Sequence, residues 1–196
     1  MKIIAELISI FFNPALFFFL MPFSVVYRYT QDGSYAMKWF LFSAIFTTLG
    51  ILLFLIGRLH GTFSDIDISK RKERGTMYVF AWAIAVFYLA VAILFKGVLF
   101  PLSIASIGIV VGLLVFEAVT VKAKASIHTG TTCAWVLSLG LLFGIKLFLW
   151  TVWVVPLVAW ARLSLRRHTM REVIIGGLLG SSITLLTFYV GKQFVP

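Results

Sequence analysis

The chain has 196 residues and a formal net charge of +10, yet 61% of its residues are hydrophobic and only 12% are charged. A soluble domain carries roughly 25% charged residues, so composition alone excludes an ordinary aqueous fold. Its basic residues fall in short stretches between apolar runs and leave no soluble domain to build a groove. Nucleic acid is therefore not the expected partner; anionic headgroups of membrane lipids or a phosphorylated substrate are.

Apolar runs occupy residues 3–27, 37–57, 76–95, 97–121, 129–145, 147–163 and 170–191. Lengths of about 17–25 residues suit a hydrocarbon core about 30 Å thick, where only a helix or a closed barrel satisfies its own backbone. Strand alternation is absent, so the expected fold is all-α, a polytopic transmembrane helical bundle of about seven spans. A six-span alternative fuses the fifth and sixth runs, which are short. The first run carries Lys2 and Glu6 and has no small-residue cleavage site, so a span is expected there rather than a cleaved leader. Asn13-Pro14 predicts a kink within it, and Lys96 and Lys146 predict tight turns. A single domain over 1–196 is expected, with no internal repeat. One cysteine, Cys133, excludes an intrachain disulfide and reads as a small buried hydrophobe.

With seven spans, the loop at 58–75, the island Lys124-Ala125-Ser126-Ile127-His128, and the stretch at 161–172 all follow an even number of crossings. They then share one membrane face with the N-terminus. That face carries twelve of the lysines and arginines against five on the other, which predicts a cytoplasmic location for it.

Ionisable groups beside lipid are costly and mark functional sites. The stretch 161–172 holds Arg162, Arg166, Arg167, His168, Arg171 and Glu172. Arginine grips phosphate oxygens with a planar fork of donors. Neutral imidazole can attack phosphorus and form a phosphohistidine. Glu172, four residues beyond His168, shares its helix face and can accept the imidazole N–H, which fixes the tautomer. His128 is the remaining island histidine able to protonate a leaving alkoxide. His60 reads as a solvated loop residue. Lys72, Arg166, Arg167 and Arg171 read as headgroup anchors, and Glu117 as a snorkelling residue or a partner of Lys122 or Lys124. Gly176-x-x-x-Gly180 reads as a small-residue packing face.

Arg162-x5-His168-x3-Glu172 resembles the third signature of the type-2 phosphatidic-acid phosphatase superfamily, Ser-Arg-x5-His-x3-Asp. Ser126-Ile127-His128 resembles its second, Ser-Gly-His. The first signature, Lys-x6-Arg-Pro, is matched in part: Arg74 keeps the arginine, whereas Asp67 and Gly75 stand at the lysine and proline positions. The resemblance covers roughly residues 64–180, within a signature-bearing core of about 58–192. It implies His168 as nucleophile, Glu172 as its orienting carboxylate and His128 as general acid. It further implies Arg162, Arg74 and Ser126 as phosphate ligands, with Lys70 or Arg71 replacing the lysine, and no metal or other cofactor. The expected activity is hydrolysis of a lipid-linked phosphomonoester or diphosphate: a polyprenyl phosphate or diphosphate, phosphatidic acid or phosphatidylglycerol phosphate. A phosphoryl or head-group transferase on the same fold, and a non-catalytic anionic-lipid binder or transporter, are the alternatives.

Overall fold

The computed structural model describes residues 1–64, 68 and 71–194. Among these the secondary structure is all helical: α1 (Lys2–Phe11), α2 (Pro14–Thr30), α3 (Gly33–Leu59), α4 (Arg71–Lys96), α5 (Pro101–Lys122), α6 (Ile127–Phe143), α7 (Ile145–Thr151), α8 (Val154–Ser164) and α9 (Met170–Gly191).

Local chemistry sets the boundaries. Asn13 is extended and accepts a hydrogen bond from the Ala15 N–H through its side chain, with Pro14 starting the helix behind it. The expected kink in the first run is thus a full break, and α1 and α2 are separate helices. Asp32 caps α3 through the Tyr35 N–H at 3.0 Å. A left-handed Gly97 (φ +85°) ends the α4 helix after Lys96, where a tight turn was expected. The turn expected at Lys146 instead falls at Gly144 (φ +95°), and Lys146 lies inside α7. The sixth apolar run is itself divided, into α7 and α8. Helix α4 starts five residues before its apolar stretch, because a helix continues into the headgroup zone after its lipid-facing residues stop.

Among the described residues, six helical segments are long and apolar enough to cross a membrane: Lys2–Thr30 (α1 and α2 together), Gly33–Leu59, Lys72–Lys96, Pro101–Lys122, Ile145–Ser164 and Met170–Gly191. Helix α6, at 17 residues, stands at the lower limit of a spanning length. The chain is a multi-pass integral membrane protein. Large apolar side chains on the outer faces, such as Ile45, Leu94, Trp150 and Leu178, are well exposed and suited to contact lipid.

The centre of the bundle is the α6–α9 pair, with α2, α5 and α8 packed around it and α3 and α4 outside. Glycine makes that pair possible. A Cβ at Gly176 would collide with the Ser126 carbonyl, and one at Gly180 with the Gly130 carbonyl. The 176–180 face therefore packs α9 directly on the α6 backbone, within the bundle. At the end of the bundle where α2 meets α3, Val26, Ala36, Trp39 and Leu102 form an apolar cluster joined by Phe100.

Candidate functional site

Four short segments meet at one end of the bundle: the first turn of α4, the α5–α6 loop, the C-terminal turn of α8 and the start of α9. The ends of α4, α6, α8 and α9 that carry Arg74, His128, Arg162 and His168 therefore share one face, the arrangement a seven-crossing topology requires.

Arg74 is buried on the first turn of α4. Its Nε donates to the Ile68 carbonyl at 3.3 Å and its Nη1 to the Ala125 carbonyl at 3.2 Å. Those bonds tie the start of α4 to the residue just before Ser126. Arg71 begins α4, with its side chain outside the described residues; Lys70 lies outside them altogether.

Ser126 is fully buried and is the N-cap of α6. Its hydroxyl oxygen accepts from the Thr129 N–H at 3.4 Å and from the Thr129 hydroxyl at 3.0 Å. Its backbone N–H donates to the Glu172 carbonyl at 3.0 Å, a direct link between the two histidine-bearing turns. His128 follows in the first turn of α6, buried, with Arg162, His168 and Arg74 within electrostatic reach of its ring. Ile127, at the position where the second signature has glycine, contributes only helix backbone at this point.

Arg162, 1% exposed, is the largest fully buried side chain among the described residues. Its Nη1 donates to the Ser9 hydroxyl at 2.7 Å, a contact across 153 residues of sequence. Beyond it the chain turns sharply. The Arg167 N–H donates to the Arg162 carbonyl at 3.1 Å, and Arg166 is left-handed (φ +53°). This turn carries His168 back towards Arg162.

The His168 side chain is 2% exposed, and its Nδ1 lies 2.9 Å from Glu172 Oε2. The same carboxylate oxygen accepts the Thr169 N–H at 3.1 Å, while the Glu172 N–H donates to the Thr169 hydroxyl at 3.4 Å. This reciprocal capping box pins Glu172 at the start of α9. Burial lowers the His168 pKa to about 4; the hydrogen bond its ring donates to Glu172 pulls upward, and the charges of Arg162, Lys124 and Arg74 push further down. At neutral pH the ring is uncharged. With Nδ1–H donated to Glu172, its Nε2 lone pair is the free one.

Two residues of the site, Ser9 and Lys124, were not expected there. Ser9 stood in an apolar run, with nothing local to set it apart from a helix-filling serine. Lys124 was visible in its island, and the structure places its Nζ 3.1 Å from the Arg167 carbonyl and within electrostatic reach of His168. The Glu117 carboxylate accepts from Trp82 Nε1 at 3.1 Å, a partner in α4 that spacing along the chain could not reveal. His60 ends α3 on an exposed surface, and Lys72, Arg166 and Arg171 are exposed. Among the described residues, no group of three or more His, Cys, Asp or Glu side chains is arranged to hold a metal ion.

The arrangement is a buried imidazole held by a carboxylate, a second imidazole within its electrostatic reach, and two buried guanidinium groups with a lysine near. No family model, curated protein or solved structure matches the chain.

Proposed function

We propose that this protein is a membrane-embedded phosphatase that hydrolyses a lipid-linked phosphomonoester or diphosphate by way of phosphoryl-His168. The observation that carries the reading is the 2.9 Å His168–Glu172 pair set among Arg74, Arg162 and His128. A structural histidine needs none of those neighbours. Arg162, Lys124 and Arg74, the three cations acting on the neutral His168 imidazole, suit a dianionic ligand, and they lie at a bundle end, where a lipid tail can remain between helices.

In the first step, His168 Nε2 attacks phosphorus as the bond to the lipid oxygen breaks. His128, which takes up a proton when the phosphate dianion binds beside it, gives that proton to the leaving oxygen. Glu172 holds the Nδ1–H and offsets the positive charge the ring acquires. In the second step water attacks the phosphohistidine, its proton returns to His128, and inorganic phosphate leaves with His168 neutral again. Arg74 and Arg162 hold non-bridging oxygens throughout. The Ser126 hydroxyl accepts its two Thr129 hydrogen bonds through oxygen lone pairs, so its own proton is the donor it can offer to phosphate. Lys124 supplies further positive charge. The positive-inside rule, applied to the basic residues of these loops, favours the cytoplasmic side for the reaction; labelling of a cysteine introduced at Arg167 from outside intact cells would contradict that orientation.

The test is turnover on a panel of polyprenyl phosphates and diphosphates, phosphatidic acid and phosphatidylglycerol phosphate, in EDTA, with and without vanadate. Activity that survives the chelator, is blocked by vanadate and is lost in His168→Ala is the expected result. Strict dependence on a divalent ion would refute it. So would an inactive wild type that binds headgroups equally well with His128→Ala.

A further inference from the structure

A hydroxyl within a helix of this bundle usually serves its own helix. Ser24, Ser43, Ser106 and Thr184 each donate to the carbonyl four residues back. Ser9 is used differently: its oxygen accepts a 2.7 Å hydrogen bond from a guanidinium on another helix. Both groups are buried, Ser9 at 5% exposure and Arg162 at 1%.

Helix α1 is built around that contact. Ala5 and Ser9, one turn apart, are its two buried residues, and its principal packing partner is α8. Ile3, Ile4, Leu7, Ile10 and Phe11 are exposed and suited to lipid. At ten residues, about 15 Å, α1 is too short to cross a bilayer alone. The break at Asn13 also frees its direction from that of α2. Its inner face thus reaches the site through a single polar group, and that group meets the buried arginine.

We infer that Ser9 is a positioning residue for the phosphate site: α1 docks on α8 and fixes the Arg162 guanidinium in the orientation that receives phosphate oxygens. The inference rests on Arg162 being a phosphate ligand, as proposed above. Physically, a guanidinium grips two oxygens at once only if its plane is fixed beforehand, and a neutral acceptor on one Nη does this without cancelling its charge. A carboxylate there would hold the arginine equally firmly but would compete with the ligand. Serine avoids that competition.

The experiment uses the full chain in nanodiscs and reads two quantities: inorganic vanadate affinity, and kcat and KM on the best lipid phosphate. Ser9→Ala should weaken vanadate binding and raise KM about tenfold, the scale of one hydrogen bond to a charged group, with a smaller change in kcat. Ser9→Thr, which keeps the acceptor, should recover most of the loss. In an Arg162→Ala background, Ser9→Ala should add no further loss, because its effect runs through Arg162. Wild-type affinity in Ser9→Ala would overturn the inference, as would an equal loss with and without Arg162. Either result leaves the phosphatase reading standing, whereas a wild type that neither hydrolyses lipid phosphate nor binds vanadate overturns both.

Discussion

Replacing Glu172 by glutamine removes one negative charge with little change in side-chain size. In the structure this carboxylate serves two groups through one oxygen, His168 Nδ1 at 2.9 Å and the Thr169 N–H at 3.1 Å. A glutamine oxygen can still accept from Thr169, so the helix start loses less than the roughly 1 kcal/mol of a deleted cap. The melting temperature should then fall by no more than about 2–4 °C, the shift expected for that much free energy in a chain of this size. The chemical loss is larger. As Nε2 bonds to phosphorus the imidazole becomes positively charged. A carboxylate whose charge lies about 4 Å from that ring contributes about 4 kcal/mol at an effective dielectric of 20. At about 1.4 kcal/mol per factor of ten, removing it should lower kcat roughly a thousandfold. KM should change little, because Glu172 faces the imidazole and not the phosphate. Single-turnover measurement on a lipid phosphate, with phosphohistidine trapped by acid-free quenching, reads the affected step directly. A folded Glu172→Gln protein with kcat within about tenfold of wild type would refute the imidazole–carboxylate pair as the reacting unit.

The other predictions concern protons and packing. His168 has a folded pKa of about 4 against an ordinary 6.5, so between those values the unfolded chain binds a proton that the folded chain does not. Its contribution to stability is therefore unchanged above pH 6.5 and falls as pH drops from 6.5 towards 4. Thermal melts should show that decline, reduced in His168→Gln. The acid limb of kcat/KM should lie near pH 4, and an inflection at 6.5 would show an exposed, ordinary imidazole instead. Gly180→Ala should push α9 off the Gly130 backbone, lower stability by about 1–3 kcal/mol and reduce turnover by separating the two histidine turns. Gly33→Ala, with nothing within 4 Å of the added carbon, is the control and should do neither.

Much of the bundle was legible because lipid imposes a simple rule on composition. A run of apolar residues long enough to cross must be a helix, and the ends of α3, α5 and α9 fall close to the ends of their runs. Breaks inside apolar runs were harder to read. Asn13-Pro14 announces a disturbance, but whether the helix bends or restarts depends on Asn13 turning its side chain onto the Ala15 N–H. The division between α7 and α8 near Val152 and Trp153 is marked by Pro156, which has no N–H for the Val152 carbonyl four residues back and crowds it, a signal lying inside an otherwise continuous apolar run. Within the site, His168 and Glu172 could be paired from spacing, since four residues on a helix fix a shared face. The capping box that holds Glu172 was encoded just as locally, in Thr169 and Glu172 three apart, and went unread beside the louder charge pattern. Ser9 belongs to another class. Its role arises only when α1 meets α8, and no local pattern specifies that meeting.

The glycine face and the reactive cluster form one device. The carbonyl of Ser126 lies where a side chain at Gly176 would be, and the N–H of the same Ser126 donates to the Glu172 carbonyl. The backbone of Ser126 is thus held from both sides by α9, one turn below the capping box. His128 is two residues beyond Ser126, and Glu172 carries the bond to His168. The relative placement of the two imidazoles is therefore set by helix contact at glycine, not by flexible side chains reaching across a loop. A loop-built site would tolerate a methyl group at position 176 by shifting a few tenths of an ångström. Here the methyl meets a carbonyl that is itself the helix cap, so relief must come from moving α6 against α9. Gly176→Ala should accordingly cost activity out of proportion to stability, and suppression by a second substitution should map to α6 or α9, not to the loop at 165–169. Suppressors confined to that loop would show that the turn, and not the helix pair, sets the geometry.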